Sequence, residues 1–241
     1  MKIKDLVQSV VGDRNMGRLE FFLRPAKRDG FGGPFNGQKY RQRIFFDLLY
    51  YFPIKALVET GMYRGTTTAL FGATSLPVYS AEIHPRYFAF SKLRFLFHAD
   101  NVHPINSDSR PFLRALGADA AVPKDDVFFY LDAHWEDDLP LREELEIIFK
   151  TWSRPIVMID DFDVPGSGYG FDDYGPGKTL NLDYIAPIVA GSQLAVFFPA
   201  AGSSEETGAK RGTVLLCRES QSAELEAKLG TVVRHRVSAP R

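Results

Sequence analysis

Two stretches of the sequence decide its fold: Val127-Phe-Phe-Tyr-Leu-Asp132-Ala-His-Trp135 and Pro155-Ile-Val-Met-Ile-Asp160-Asp161-Phe162. Each is a run of apolar, β-prone residues that stops at a carboxylate. Such runs are typical of strands that are buried on both faces in the centre of a parallel sheet. Ligands of open α/β sheets bind beyond the carboxyl ends of the strands, so we expect Asp132, Asp160 and Asp161 to meet at one site.

The crowding of these carboxylates favours a metal site. Three neighbouring carboxylates repel one another strongly unless a cation neutralises them, and hard divalent cations prefer oxygen ligands. We therefore expect Asp132, Asp160 and Asp161 to bind Mg²⁺ or another divalent cation such as Mn²⁺ or Ca²⁺. The alternative is that Asp160 and Asp161 only cap the loop that follows them.

The composition indicates one α/β domain and a small-molecule partner. The 241 residues are 45% hydrophobic and 24% charged, which is enough for one substantial core, and the formal net charge is −1. This balance gives no global attraction to nucleic acid or to an anionic membrane, so neither partner is expected. The single cysteine lies in the apolar run Gly212-Thr-Val-Leu-Leu-Cys217, which fits a buried thiol in a reducing compartment.

The first residues give no targeting signal. Met1-Lys-Ile-Lys-Asp-Leu-Val-Gln-Ser-Val-Val11 carries charges within an apolar stretch that is too short for a signal peptide. No segment has the roughly 18 apolar residues of a membrane span. We expect a cytoplasmic protein, and the sequence leaves its assembly into a homo-oligomer open.

Alternating strands and helices predict a doubly wound α/β fold. The apolar runs predict strands near 55–60, 77–82, 102–106, 126–131, 155–160, 193–199 and 212–218. Helical spacing predicts helices near 38–52, 65–74, 86–99, 109–117, 139–151 and 181–190. This order implies a mostly parallel sheet that ends in a hairpin with an antiparallel last strand. Residues 1–37 are predicted to be an N-terminal extension or lid that begins with a short amphipathic helix, and residues 38–241 the main domain.

Glycines and acids at the first strand ends indicate a nucleoside site. The first strand runs into Glu59-Thr-Gly61-Met-Tyr63-Arg-Gly65-Thr66, where glycines let a ligand approach the backbone and Thr66 begins a helix with free amides. The Gly-x-x-x-Gly spacing differs from that of dinucleotide sites and disfavours a nicotinamide cofactor. Glu82, after the second strand, is placed to accept hydrogen bonds from a ribose, and Asn106-Ser-Asp108-Ser109 to flank an adenine. The alternative is that Glu59 or Glu82 is an ordinary surface carboxylate.

This ordered series resembles the class I S-adenosylmethionine (SAM)-dependent methyltransferases. The motifs are Glu59-Thr-Gly-Met-Tyr-Arg-Gly65, Ala81-Glu82-Ile-His-Pro85, Asp132-Ala-His-Trp135 and Ile159-Asp160-Asp161, spread over about residues 38–218. They are most similar to the metal-dependent O-methyltransferases, which include the catechol enzymes and the macrolide and aminocoumarin sugar enzymes. The resemblance implies a seven-stranded, Rossmann-like methyltransferase fold with SAM as the donor.

The resemblance also implies roles for individual residues. The methionine pocket would be shaped by Glu59, Gly61, Tyr63 and Gly65, the ribose held by Glu82, and the adenine flanked by Asp108 and Ser109. The metal ligands carried over are Asp132, Asp160 and Asp161. The chain departs from the family where the catechol enzymes have an asparagine in place of Asp161 and a lysine base in place of Glu136. The sugar enzymes have an aspartate base where this chain has His134.

His134 is the predicted proton acceptor. Methyl transfer from a sulfonium is a direct displacement at carbon, so the protein must align the reactants and make the acceptor oxygen nucleophilic. We expect a cation on the aspartates to hold two adjacent oxygens of the acceptor, while His134, whose ordinary pKa lies near working pH, takes the proton. The alternative is that His134 hydrogen-bonds a backbone carbonyl or points into a helix N-terminus.

Weaker candidates for contacts with the acceptor or donor come from three regions. They are the segment before the first strand, the residue after the fourth strand, and the Gly-rich loop of residues 163–178, which is a candidate lid. The residues are Gln38, Arg41, Trp135, Tyr169, Asp172 and Tyr174.

The sequence therefore predicts a SAM-dependent and divalent-metal-dependent O-methyltransferase that acts on a hydroxylated small molecule such as a sugar or secondary metabolite. Two alternatives stay open. A metal-assisted hydrolase or lyase would use the aspartates without a nucleoside, which leaves the glycine turn and Glu82 unexplained. A non-catalytic nucleoside-binding module would use the carboxylates only for structure.

Overall fold

The strands form one eight-stranded sheet in the computed structural model, which describes residues 12–96, 100–134 and 138–236. The strands are β1 Ala56–Thr60, β2 Val78–Ala81, β3 Val102–Ile105, β4 Val127–Leu131, β5 Ile156–Ile159, β6 Leu194–Pro199, β7 Val214–Arg218 and β8 Val232–His235. The helices are α1 Asp13–Leu23, α2 Lys39–Tyr51, α3 Thr66–Gly72, α4 Pro85–Phe95, α5 Ser109–Ala118, α6 Leu141–Thr151, α7 Leu182–Gly191 and α8 Glu219–Lys228. Short 3₁₀ turns cover Pro25–Gly32 and Pro34–Gly37.

The sheet has the strand order β3-β2-β1-β4-β5-β7-β6-β8. Strands β1 to β5 pair in parallel, and β7 is antiparallel to both β5 and β6. The predicted fold class is confirmed, and every predicted strand is present. The structure adds β8 at the edge, a strand too short and too polar for its apolar pattern to be detected. The strand order reverses between β1 and β4, where open α/β sheets bind ligands.

Two apolar layers cover the sheet. One face packs on α5, α6 and α7 through a cluster that includes Phe112, Leu145 and Ile185. The opposite face packs on α2, α3, α4 and α8 through a cluster that includes Phe45 and Cys217, and the predicted burial of this thiol is confirmed. Among the helices of the described segments, none is long and apolar enough to cross a membrane.

The segment before α2 is attached to the core. The predicted amphipathic helix at the very start of the chain falls on residues 1–11, outside the described residues. Phe35 is fully buried and its ring lies 5.0 Å from that of Tyr130 between centroids. Phe35 and Asn36 have φ of 51° and 58°, a left-handed conformation that turns the chain sharply before α2 begins. Residues 35 and 36 thus pack into the core of the sheet domain.

An ionic cluster around Glu20 fastens α1 to the turn that follows β1. The Glu20 carboxylate accepts hydrogen bonds from Lys27 at 2.6 Å, from Arg86 of α4 at 2.5 Å, and from Arg64 at 3.4 Å. Helices α1 and α4 lie so close that a Cβ on Gly17 would stand 2.0 Å from the carbonyl oxygen of Arg86. Burial raises the pKa of Glu20, but the hydrogen bonds from Arg86 and Lys27 outweigh it and lower the pKa to about 2.

Replacing Glu20 by glutamine should lower the free energy of unfolding at pH 7 by about 1.5–3 kcal/mol, the range for hydrogen bonds to charged groups. The advantage of the wild type should shrink as the pH falls from 4.5 toward about 2, because Glu20 then takes up a proton. Urea denaturation of both proteins at a series of pH values measures the difference. Glu226→Gln, at an exposed ion pair with Arg236, is the control and should change little. A loss that is independent of pH would contradict an ionic role.

Candidate functional site

The strand ends that carry the acids lie side by side at the carboxyl edge of the sheet. The pairing places Thr60 of β1 beside Leu131 of β4, and Leu131 beside Ile159 of β5. The backbone hydrogen bonds of the sheet continue past the strand ends. The amide of Asp132 donates to the carbonyl of Thr60, and the amide of Asp160 donates to the carbonyl of Leu131. The predicted convergence of these strand ends is therefore what the structure shows.

One group of side chains at this edge has the geometry of a cation site. One ligand atom each from Asp132, His134 and Asp161 lies within 4.8 Å of the others. His134 Nε2 is 3.9 Å from Asp132 Oδ1 and 4.0 Å from Asp161 Oδ2. The His134 side chain is only 2% exposed, and its Nε2 has no hydrogen-bond partner among the described residues. A buried ring nitrogen aimed at two carboxylates without a hydrogen bond fits a metal ligand.

The protonation of this group depends on burial and on the mutual repulsion of the acids. Burial, then the charge of Asp160, raises the pKa of Asp161 to about 7, although Arg211 lowers it. Burial and the charges of Asp160 and Asp161 also raise the pKa of Asp132 well above its ordinary value. Burial lowers the pKa of His134, so its imidazole is neutral at pH 7. Two carboxylate oxygens and one imidazole nitrogen form a donor set that suits a divalent cation.

Asp160 lies outside this group, which differs from the predicted set of three aspartates. It is completely buried and forms an ion pair with Arg41 of α2. Its Oδ2 accepts hydrogen bonds from the hydroxyl of Tyr130 at 2.5 Å and from Asn36 at 3.2 Å. Its Oδ1 accepts the amide of Asp161 at 2.7 Å. These partners hold Asp160 in the buried core, and its oxygens are not part of the group of converging ligand atoms.

Gln38 and Arg41, predicted to contact the donor or acceptor, are structural instead. Both side chains are 1% exposed. Gln38 donates to the carbonyl of Arg211 at 2.9 Å and accepts the amide of Arg211 at 2.7 Å. Arg41 donates to the carbonyls of Arg211 and Gly212. Burial lowers the pKa of Arg41, but the charge of Asp160 outweighs it and the pKa is raised overall. These two residues therefore fix the backbone that precedes β7.

Arg211 is a site residue that the sequence analysis did not single out. Its Nε donates to Asp161 Oδ1 at 2.6 Å, and its Nη2 donates to Asp172 Oδ1. The predicted antiparallel last strand could have indicated that residues just before this strand belong to the site. Because β7 runs opposite to β5 and pairs Val214 with Ile159, the residues before β7 lie at the same edge as the residues after β5.

The Gly-rich loop of residues 163–178 reaches the same place. The hydroxyl of Tyr174 donates to Asp172 Oδ2 at 2.5 Å and lies 3.5 Å from the carbonyl oxygen of His134. Asp172 and Tyr174 therefore lie beside the cation group. Tyr169, also predicted to contact the acceptor, is buried and donates to the carbonyl of Ala201 at 3.1 Å, so it supports the loop. Trp135 and Glu136 fall outside the described residues.

The two predicted glycines have a packing role at the end of β1. Gly61 has a φ of 86°, and a Cβ there would stand 2.1 Å from the carbonyl oxygen of Asp132. Gly65 has a φ of 71°, and a Cβ there would stand 2.8 Å from the ring of Phe95. On the side where a Cβ would stand, both glycines are in close contact with the protein itself. The turn after β1 is thereby packed directly against the strand end that carries Asp132.

Glu82 and Glu59 are both buried, which excludes the alternative that they are surface carboxylates. The Glu82 carboxylate accepts the amides of Tyr63 and His84, each at 2.7 Å, and is at the end of β2 as predicted. Glu59 accepts hydrogen bonds from Thr68 at 2.5 Å and from Ser80, so it ties β1 to α3 and β2. Burial raises the pKa of each to about 7. The carboxylate of Glu82 has further lone pairs that could accept hydrogen bonds from a ligand, whereas Glu59 stabilises the turn.

The remaining predicted cofactor residues begin helices. Thr66 starts α3, and its hydroxyl donates to the carbonyl of Arg28 at 3.4 Å. Asp108 caps α5 by accepting the amide of Arg110 at 2.8 Å, and Ser109 follows it. The hydrogen bonds from the Arg110 side chain outweigh burial and lower the pKa of Asp108.

Helix α6 contributes a buried acid close to β1 and α5. Glu144 is 1% exposed. Burial raises its pKa to about 7, and the hydroxyls of Ser109 and Thr60 partly offset the effect. The i, i+3 spacing from the buried Leu141 places Glu144 on the helix face that packs against the sheet.

Solved methyltransferase structures share this fold. The chain matches no protein-family model and no curated protein. An O-methyltransferase from Bacillus cereus in complex with SAH aligns with a TM-score of 0.55 and 14% identity over 74% of this chain and 81% of that one. TomG from Streptomyces achromogenes is an O-methyltransferase involved in tomaymycin synthesis, and its structure is in complex with SAM. It aligns with a TM-score of 0.54 and 15% identity over 75% of this chain and 79% of that one. Human methyltransferase-like protein 13 in complex with SAH aligns with a TM-score of 0.50 and 12% identity over 74% of this chain and 82% of that one. The chain has the class I SAM-dependent methyltransferase fold.

Replacing Arg41 by methionine should lower the free energy of unfolding by about 3–5 kcal/mol, because it leaves Asp160 as a buried charge without its partner. Adding Asp160→Asn should recover part of this loss, since residues in direct contact are not additive. Urea denaturation of the two single variants and the double variant measures the coupling. Arg43→Met, at an exposed position of the same helix, is the matched control. Strictly additive losses would show that Arg41 does not act through Asp160.

Proposed function

We propose that the chain is a SAM-dependent O-methyltransferase that needs a divalent cation and methylates a hydroxyl of a small molecule such as a sugar or secondary metabolite. One observation carries this proposal: a cation-type group of Asp132, His134 and Asp161 lies at the carboxyl edge of a methyltransferase fold, beside the turn after β1. A hydrolase or nucleoside-binding module would not need both of these features side by side.

Glu82 and the turn after β1 support the proposal that the site binds the methyl donor. Each oxygen of Glu82 accepts one backbone amide, while a carboxylate offers about four acceptor positions. The remaining positions suit the two hydroxyls of a ribose. The SAM and SAH bound in the Bacillus and Streptomyces structures are consistent with a donor at this edge.

The cation end would be held by Asp132, His134 and Asp161. A divalent cation there acts as a Lewis acid that makes a hydroxyl easier to deprotonate by several pKa units. The buried position of His134 Nε2 favours a ligand role over the predicted role of proton acceptor, because one lone pair cannot serve both. Burial keeps the imidazole neutral, which a metal ligand requires.

Replacing Glu82 by glutamine should weaken SAM binding about 10-fold to 100-fold, since one hydrogen bond to a charged group is lost at about 1.5–3 kcal/mol. Isothermal titration calorimetry of SAM with the metal-free protein measures the change. Glu226→Gln is the control for the loss of one acid, because Glu226 lies in a surface ion pair. Equal SAM affinity in wild type and Glu82→Gln would remove Glu82 from the donor site, and no SAM binding by the wild type would overturn the proposed function.

Removing divalent cations should abolish methyl transfer but leave SAM binding nearly unchanged, because the donor and cation groups use different side chains. The test incubates EDTA-treated protein with SAM and a panel of polyols and catechols, with and without Mg²⁺ or Mn²⁺, and detects methylated products by mass spectrometry. Asp161→Asn should raise the Mg²⁺ concentration required for activity by about tenfold or more, as for a change in a metal site. Transfer that persists at full rate in EDTA would contradict the metal requirement and leave the methyltransferase assignment standing.

A further inference from the structure

We propose that Asp172, on the Gly-rich loop of residues 163–178, is a fourth ligand of the cation, so that the loop and the cation bind together. This inference rests on the cation site of the proposed function. It adds a ligand from a segment that follows β5 and lies far in sequence from Asp132 and His134.

Asp172 lies as near to His134 as the other two acids do. Asp172 Oδ2 is 3.9 Å from His134 Nε2, the distance that also separates Asp132 Oδ1 from this nitrogen. Asp161 Oδ2 is 4.0 Å from it. In an octahedral site with ligand distances of about 2.1 Å, neighbouring ligand atoms are about 3 Å apart and opposite ones about 4.2 Å. Asp172 is not in the group of three residues whose ligand atoms all lie within 4.8 Å of one another, so its side chain would reach a shared cation only when the loop moves toward that group.

Arg211 orients two of these carboxylates in the same way. It binds Oδ1 of Asp161 through Nε and Oδ1 of Asp172 through Nη2. The other oxygen, Oδ2, is in each case the one nearest to His134 Nε2. The backbone of Arg211 is itself held by the buried side chains of Gln38 and Arg41. One guanidinium thus leaves the Oδ2 atoms of both carboxylates on the side of His134. Asp172 Oδ2 also accepts the hydrogen bond from Tyr174, which leaves it a second lone pair for a cation.

The charges of the group match a divalent cation only when Asp172 is included. Asp132, Asp161 and Asp172 carry three negative charges when ionised, and Arg211 carries one positive charge. The charge of Asp160 is already compensated by its ion pair with Arg41. The remaining two negative charges equal the charge of Mg²⁺ or Mn²⁺. The buried Nε2 of His134, which has no hydrogen-bond partner in the described part of the chain and faces these acids, is the independent sign that a ligand belongs here.

The loop is tethered at Asp172 by its backbone as well. The amide of Asp172 donates to the carbonyl of Asp161 at 2.9 Å, and its carbonyl accepts the amide of Leu180 at 3.0 Å. A bound cation would add a side-chain tether at the same residue. The loop should therefore become harder to cleave when the cation binds, and the bond after Lys178 offers trypsin a site within it.

The experiment titrates Mn²⁺ into the EDTA-treated full chain and measures affinity by electron paramagnetic resonance. Water-proton relaxation counts the water molecules on the bound Mn²⁺. Asp172→Asn should weaken Mn²⁺ binding about tenfold or more and add one exchangeable water, because a ligand position is vacated. Asp173→Asn is the matched control, since Asp173 binds Gly175 and Thr179 within the same loop at 3.0 and 2.9 Å, and it should keep the wild-type affinity and water count.

The outcomes separate this inference from the proposed function. Wild-type affinity and an unchanged water count in Asp172→Asn, together with lost affinity in Asp161→Asn, would overturn the role of Asp172 and keep the cation site. A wild type that binds no Mn²⁺ would overturn both. Trypsin digestion of the wild type tests the inference even if Asp172→Asn does not fold: Mn²⁺ should slow cleavage after Lys178, and an unchanged cleavage rate would overturn the link between loop and cation.

Discussion

The buried ion pair between Arg41 and Asp160 is the interaction on which the site depends. Taking both charges out of water is costly, and additional hydrogen bonds offset part of this cost, although the buried Nε of Arg41 has no partner among the described residues. Tyr130, Asn36 and the amide of Asp161 satisfy Asp160, while carbonyls 211 and 212 satisfy one nitrogen of Arg41. The pair joins α2, the end of β5 and the start of β7. It thereby fixes the positions of Asp161 and Arg211. It also compensates the charge of Asp160, which therefore does not take part in the cation group.

The sequence predicted the sheet well because continuous apolar runs mark buried parallel strands, and the acids that follow β4 and β5 mark its carboxyl edge. It did not separate Asp160 from Asp161. Side chains alternate between the faces of a strand, so Asp160 lies on the same face as Met158 and Tyr130, toward α2. Asp161 leaves the strand with a φ of 52°. The pleat alone could have assigned Asp160 to the buried face, but its partner Arg41 is a contact over 119 residues that no local pattern contains.

The glycine turn shows a different limit of sequence analysis. A glycine indicates that something approaches the backbone closely, but it does not say what. Here the space beside Gly61 is taken by the carbonyl of Asp132 and that beside Gly65 by Phe95. The glycine turn after β1 therefore packs directly against the end of β4. A side chain at Gly61 would push β1 away from the strand end that carries Asp132. His134 was correctly placed at the site, while its proposed ligand role depends on the burial of Nε2, which only the tertiary structure defines.

The balance of charges also constrains the acceptor. With a divalent cation matched to Asp132, Asp161, Asp172 and Arg211, the proposed site has no net charge left to attract an anion. An acceptor that carried a carboxylate or phosphate would bring an uncompensated negative charge among three aspartates, where partial burial makes repulsion stronger than in water. A neutral polyol or phenol has no such penalty. In the proposed reaction its deprotonated oxygen would combine with a cationic donor to give neutral products, and exclusion of water from the site would favour this loss of charge.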